Sequence, residues 1–298
     1  PRSTTIEVAI YQAIRFDLDF AKAAVLGLSQ FVLAGLTVCL AVWVIGNAPT
    51  LSGGLDRSNN FQEVSFTSSL FDWSIILVIG LFLTLPLGMI FFKGFSHISS
   101  LGPEIWRAAF NSIMMALTST LVCIILACAL SYKWGEVFAT LGIATSPLVI
   151  GAGLFLLIRK FDNPLNYAVP VTILVNAVMG LPFAVRIIRP AAEDIRNDYA
   201  KLSKSLSLTP IGWSYWVFAP RLSKPLGYAG GLVAALSMGD LGVIALFGGA
   251  EFATLPLKIY QLMSAYRMDE ALGSAVVLVL ASFSLFFIFD YLGTKQNA

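Results

Sequence analysis

Lys201-Leu202-Ser203-Lys204-Ser205-Leu206-Ser207-Leu208-Thr209-Pro210, running on to Ala219-Pro220, lies between two apolar runs, Ala168–Ile188 and Pro225–Phe247. A helix needs roughly 20 apolar residues to cross a bilayer. Both runs are long enough, so the polar stretch reads as a loop that joins two membrane spans. Its layout predicts two short helices with a break between them. Ile195, Tyr199, Leu202 and Leu206 recur at helical spacing and form one apolar stripe. Thr209 offers an N-cap oxygen, Pro210 suits the first position of a new helix, and that helix is expected to stop at Pro220. A basic stretch of this length between spans points to a binding partner on the cytosolic side.

Working outward, the whole chain has the same character. It is 57% hydrophobic and 12% charged, with a mean hydropathy of +0.81, whereas a soluble domain carries about 25% charged residues. Candidate spans are Ala21–Gly46, Ser74–Phe92, Ile113–Leu130, Val137–Ile158, Ala168–Ile188, Pro225–Phe247 and Ala271–Tyr291. They lack the polar faces of helices in a soluble core. In lipid, only helices and closed barrels satisfy the backbone. The expected class is therefore an all-α polytopic membrane protein with about seven transmembrane helices.

Several functions lack material. A net charge of +2 does not argue for nucleic acid. Cys39, Cys123 and Cys128 all fall inside expected spans and read as small apolar residues. His97 is the single histidine, which leaves nothing for a histidine-based metal site or catalytic triad. No cluster of paired intramembrane carboxylates could run acid–base chemistry.

The two ends of the chain repeat each other. Thr5, Ile10, Tyr11 and Gln12 recur as Thr254, Ile259, Tyr260 and Gln261; after one inserted residue, Asp19, Ala21 and Leu28 recur as Asp269, Ala271 and Leu278. Each copy leads into an apolar span. An even number of crossings separates the copies, so they share one side of the membrane and the repeat is parallel. Residues 1–46 are then expected to be the last periplasmic loop and final span of a preceding unit. Residues 47–73, rich in Gly, Ser and Asn, form a cytosolic linker. Residues 74–292 form a complete six-span unit whose cytosolic loop is 190–224, and 293–298 form a tail. With Pro1 in place of a methionine, the chain is expected to be the C-terminal portion of a longer polypeptide. Placing the 190–224 loop inside divides Lys and Arg nearly evenly between the two sides. The cluster Arg186, Arg189, Arg196, Lys201, Lys204, Arg221 and Lys224 tips the positive-inside balance slightly that way.

The loop resembles the signature of permease subunits of bacterial ABC importers: Glu-Ala-Ala, three residues, Gly, nine residues, Ile, any residue, Leu-Pro. With Pro220 at the final proline, Lys201-Leu202-Ser203 fall at Glu-Ala-Ala, Ser207 at the glycine, Val217 at the isoleucine and Ala219 at the leucine. The spacing is kept, but the first three identities and the glycine are not. Gly239-Asp240-Leu241-Gly242-Val243-Ile244-Ala245-Leu246-Phe247-Gly248, then Thr254-Leu255-Pro256 and Ile259-Tyr260-Gln261, resemble thiamine importer permeases more specifically. Thr4-Thr5-Ile6-Glu7 and Ala9-Ile10-Tyr11-Gln12-Ala13 resemble the end of the first half of such proteins, which fuse two six-span units.

The resemblance implies a type I importer fold in the bacterial inner membrane and three partners. These are cytosolic ABC ATPase subunits, a periplasmic substrate-binding protein and the N-terminal permease unit of the same polypeptide. It implies no cofactor on this chain, since ATP and Mg²⁺ are used by the ATPase. It also implies an ATPase-coupling loop carried by Leu202, Ser203, Leu206, Ser207, Leu208, Pro210, Val217 and Pro220. The cargo would be thiamine or its phosphates, with ferric iron, polyamine and aminophosphonate permeases as alternatives. A secondary transporter built from parallel six-span repeats is the rival outside this class. The loop Ser131-Tyr132-Lys133-Trp134-Gly135-Glu136 lacks the Gly-x-x-x-Asp pattern usual there.

For single residues, bland readings stand beside functional ones. Leu202, Leu206 and Leu208 either plug an ATPase cleft or pack the loop onto the membrane domain. Arg196, Lys201 and Lys204 read as a solvated face. Asp240, between Gly239 and Gly242, is a carboxylate inside a span. Such groups are costly and mark either a pathway, where a broken helix exposes backbone to a cavity, or a structural hydrogen bond or cap. Gly230-Gly231 are expected to allow close helix packing. Pro86 and Pro182 fall where kinks are expected, and Trp73 and Tyr291 suit interfacial positions.

Overall fold

The computed structural model describes residues 5–15, 17, 19–45, 66–131, 139, 142, 146–205, 209–247 and 252–295. Among the described residues all regular structure is helical. In chain order the helices are α1 (Ile6–Arg15), α2 (Phe20–Ile45), α3 (Phe66–Gly94), α4 (Pro103–Ala129), α5 (Pro147–Arg159), α6 (Ala168–Ser205), α7 (Pro210–Trp213), α8 (Ala219–Met238), α9 (Gly242–Phe247), α10 (Leu255–Ser264) and α11 (Met268–Lys295). A π-helical turn, Ser214–Phe218, joins α7 to α8.

Among the described residues, five segments are long and apolar enough to cross a membrane: Asp72–Ser100, Pro103–Ala129, Pro164–Tyr199, Tyr215–Phe247 and Met268–Lys295. Ala21–Thr37 and Pro147–Arg159 are shorter apolar helices. On α3 most apolar side chains face outward, from Ile75 at 42% to Phe92 at 88% exposure. A surface of that kind is stable against lipid and not against water. The chain is an all-α polytopic membrane protein.

α6 lies at the centre, packed between α4 and α8. Cys123 and Ala127 of α4, Val185 and Ile188 of α6, and Leu222 and Val233 of α8 share one buried cluster. α8 crosses α11 at van der Waals distance because both are stripped of side chains at the crossing. A Cβ on Gly227 would lie 2.6 Å from the Phe289 carbonyl oxygen and 2.7 Å from Gly293 Cα; one on Gly231 would lie 2.8 Å from the Phe286 carbonyl oxygen. The close packing expected of Gly230-Gly231 is therefore present, and it extends to Gly227 and Gly293.

The contacts sort into two ends. Glu104 pairs with Lys258 at 3.1 Å and His97 lies 3.8 Å from Asp269, so 97–104, 258 and 269 share one end. Arg196 meets Ser131, and Ser223 Oγ lies 3.1 Å from the Gly293 carbonyl, at the other. α4 and α6 therefore both run from the first end to the second, α8 runs back and α11 returns.

The repeat is visible as structure. α1 and α10 are each 10 residues long and each leads into a long apolar helix. Thr5 and Thr254 stand in the same place: the Ala9 amide donates to the Thr5 carbonyl and the Lys258 amide to the Thr254 carbonyl, both at 2.9 Å.

Three expectations need correction. The second span does not begin at Ser74: α3 starts at Phe66, so the last residues of the expected linker are helical. The fifth span does not end before the loop, because α6 continues as one helix to Ser205 through Pro182 and Pro190. Pro190 lies exposed on this helix, and the helix carries on past it although proline donates no backbone hydrogen bond. Nor does the helix after Thr209 stop at Pro220, which sits in the first turn of α8, where a missing N–H costs nothing. Of the expected span Val137–Ile158, the described helix covers Pro147 onward.

Candidate functional site

The expected break in the last-but-one span is present. α8 ends at Met238 with Gly239 as its C-cap, α9 starts at Gly242, and Asp240 lies half-buried between them. Its Oδ1 accepts a hydrogen bond from the Gly242 amide at 3.3 Å, which closes the turn that starts α9. Across the break stands Asn176 of α6. With its amide nitrogen facing acceptors, Asn176 donates to Asp240 Oδ2 at 2.8 Å and to the Thr172 carbonyl at 3.3 Å, and its oxygen accepts from Ser237 Oγ at 2.9 Å. Ser237 Oγ also lies 2.7 Å from Ser119 Oγ on α4. The Ser119 hydroxyl also lies 2.7 Å from the Met115 carbonyl of its own helix. One polar chain therefore joins α4, α8, α6 and the break.

This chain opens on a cavity of about 270 Å³ lined by Gly142, Pro147, Asn176, Met179, Gly180, Phe183, Leu236, Ser237 and Asp240. Among the described residues of that lining Asp240 is the one with a charge, and the walls are otherwise largely apolar. Such a site can hold a cation or a hydrogen-bond donor against a carboxylate with an aromatic ring beside it. Of the expected group, Asp240 lines this cavity while Gly239 and Gly242 flank it in the break, and Asp240 also caps α9 and bonds a neighbouring span. Sequence reading missed Asn176, Ser119 and Ser237. Each is a polar residue in an apolar span, a signal that by itself names no partner.

At the other end of α6, the loop region is almost wholly helical. Leu202 and Ser203 lie on α6, while Leu206, Ser207 and Leu208 lie outside the described residues. Thr209 is the expected N-cap: its Oγ1 accepts from the Gly212 amide at 3.2 Å and its carbonyl from the Trp213 amide at 2.8 Å. Pro210 opens α7. Val217 is buried in the π-helical turn and Pro220 half-buried after it. Of the apolar stripe, Ile195 and Tyr199 pack inward on the cluster that contains Leu222 and Val233.

Arg196 is not on a solvated face. Its guanidinium donates to the Ser131 carbonyl and hydroxyl, both at 3.1 Å, and to the Ala192 carbonyl at 3.2 Å, and it lies 5.8 Å from the centre of the Phe218 ring. It ties the end of α4 to α6 and to the π-helical turn. Arg221 stacks over Tyr199 at 4.1 Å. Next to these, Tyr215 and Trp216 are 68% and 71% exposed.

No family model matches the chain. Curated relatives do. The thiamine transport system permease protein ThiP of Brucella abortus is 33% identical over 306 residues, covering 97% of this chain and 56% of that protein. ThiP of Escherichia coli K12 is 31% identical over 315 residues, covering 98% and 58%. A sulfate transport system permease protein, CysW of Synechocystis, is 27% identical over 148 residues, 45% of this chain and 54% of the relative. The chain spans about half the length of the ThiP relatives it matches.

Proposed function

From a chain that is homologous over nearly its whole length to the ThiP thiamine transport permeases, we propose a membrane permease unit of an ATP-driven, binding-protein-dependent importer in the bacterial inner membrane. Thiamine or its phosphates are the proposed cargo. The proposed partners are a periplasmic binding protein that delivers the cargo, a second permease unit on the same polypeptide, and a separate ABC ATPase that uses ATP and Mg²⁺. The chain itself is a transport permease and hydrolyses nothing.

The observation that carries the mechanism is the continuity of α6. This single helix runs from Ala168 to Ser205, so about 44 Å of helix separates Asn176 from Ser205 at 1.5 Å per residue. A push on the Lys201–Pro220 region by a closing ATPase dimer travels along α6 to the Asn176–Asp240 contact. Pro182 and Pro190 each remove a backbone hydrogen bond and set where this lever bends. The break at Gly239–Leu241 then lets α9 move independently of α8. In the proposed assignment Leu202, Ser203, Leu206, Ser207, Leu208, Pro210, Val217 and Pro220 form the coupling region. Asp240, Gly239 and Gly242 lie on the translocation pathway.

Sulfate is a poor alternative cargo despite the CysW similarity. A cavity whose lining carries a carboxylate as its one charge repels an anion and suits a cationic heterocycle. Ferric iron or a polyamine fits the same charge and stays the second reading.

The test is Leu206→Asp in the full-length polypeptide. Placing a carboxylate in an apolar cleft leaves it buried and unpaired, so the variant should reach the membrane and lose co-purification with the ATPase. Lys204→Ala should keep it. ATPase binding retained in Leu206→Asp overturns the coupling assignment.

A further inference from the structure

The two copies of the repeat are buried on different faces. Aligned so that Thr5 matches Thr254, Ile6 corresponds to Leu255, Val8 to Leu257 and Ile10 to Ile259. Leu255 and Leu257 of α10 are 0% and 6% exposed, whereas Ile6 and Val8 of α1 are 37% and 44% exposed. Thr254 is buried and Thr5 exposed. In the first copy Ile10 is buried, in a cluster with Ala152 of α5 and Val243 and Phe247 of α9, whereas its counterpart Ile259 is only half-buried. Each copy therefore leaves open the face that the other covers.

What covers the second copy is known. Leu255 packs with Ile105 and Ala109 of α4, its amide donates to Ser112 Oγ at 2.8 Å, and Leu257 packs with Met115. The first copy has no such helix among the described residues. The relatives are nearly twice as long as this chain, and the repeat unit runs from one copy to the next.

We propose that Thr5, Ile6 and Val8 are a docking face for a helix of the α4 type supplied by a second permease unit upstream on the same polypeptide. The interface is reciprocal. The Ile259 face of α10 seats on that unit's counterparts of α5 and α9, as Ile10 seats on α5 and α9 here. Two units related by the repeat thus exchange their short helices, each unit's α10-type helix bridging from its own α4 to the other's α5 and α9. This inference rests on the two-unit permease reading and specifies which surfaces meet.

The experiment places the photo-crosslinking residue p-benzoylphenylalanine in place of Thr5, Ile6 or Val8, and separately of Ile259, in the full-length protein. Cross-linked peptides are identified by mass spectrometry, and substrate uptake is measured in parallel. Probes at 5, 6 and 8 should join the upstream helix that aligns with Pro103–Ala129, and the probe at 259 should join the upstream counterparts of α5 and α9. The exposed Thr5 position keeps the test valid if a probe at Ile6 or Val8 impairs membrane insertion. Cross-links to lipid, to the binding protein or to a second copy of the protein, or no cross-link at all, overturn the proposal. Uptake with the wrong cross-links leaves the transport reading standing, and the predicted cross-links without uptake leave the interface standing.

Discussion

Asn176 donates to Asp240 at 2.8 Å across the break between α8 and α9. The contact joins a long helix that reaches the proposed coupling region to the break that precedes a short helix at Gly242. Asp240 serves two donors with two different oxygens, the Gly242 amide with Oδ1 and Asn176 with Oδ2.

An Asp240→Asn change leaves a single acceptor oxygen for those two donors. One donor is then unsatisfied, at a cost of about 1–3 kcal/mol, and the cavity loses its charge. The variant should insert at the wild-type level and transport at roughly a tenth of the rate or less, since 1.4 kcal/mol is about tenfold. Radiolabelled uptake per amount of membrane-inserted protein measures this. An unchanged rate would reduce Asp240 to a dispensable cap.

Gly227→Ala should loosen the α8–α11 crossing. The added methyl would meet a carbonyl oxygen at 2.6 Å, and backbone cannot give way as a side-chain tip does. Overpacking of this kind costs about 1–3 kcal/mol, which should lower the unfolding temperature in detergent. Gly80→Ala on α3, where nothing lies within 4 Å, should leave it unchanged or slightly raised, because alanine favours a helix by about 1 kcal/mol over glycine.

Arg196→Lys should release the coupling region. A lysine cannot present the forked donors that reach both the Ser131 carbonyl and hydroxyl. Amide hydrogen exchange over residues 192–199 should speed up while exchange in α11 does not change. Equal protection in wild type and variant would show that Arg196 is not the tie.

The expected topology puts the α6–α7 junction inside the cell and the α10–α11 turn outside. Single cysteines at Ser205 and at Tyr266, which is 88% exposed, in a background without the native cysteines, should react with impermeant reagent from opposite faces. Labelling of both from one side would end this topology.

Features set by local chemistry were legible in the sequence. Thr209-Pro210 started a helix because a cap needs one hydroxyl and one missing N–H. Gly239-Asp240-Leu241-Gly242 broke a span because two glycines flank a charge. Matched Thr5 and Thr254 marked two copies of one motif, although not that each copy would be a short helix. Features set by distant partners were not legible. Arg196 read as solvated because Ser131 lies far away along the chain. Pro220 read as a stop because the π-helical turn before it depends on how Val217 and Phe218 pack. Asn176 was hidden in an apolar run whose average hydropathy outweighed one amide. The break at Asp240 could be read, but the residue that faces it could not.

The most direct measurement is ATP hydrolysis by the full-length permease with its ATPase in proteoliposomes, on adding the binding protein with and without cargo. Thiamine-loaded binding protein should stimulate hydrolysis, while the same protein without cargo, or offered sulfate or ferric iron, should not. Hydrolysis that responds to another cargo, or does not respond to the binding protein at all, would contradict the proposal that this chain is a thiamine permease unit.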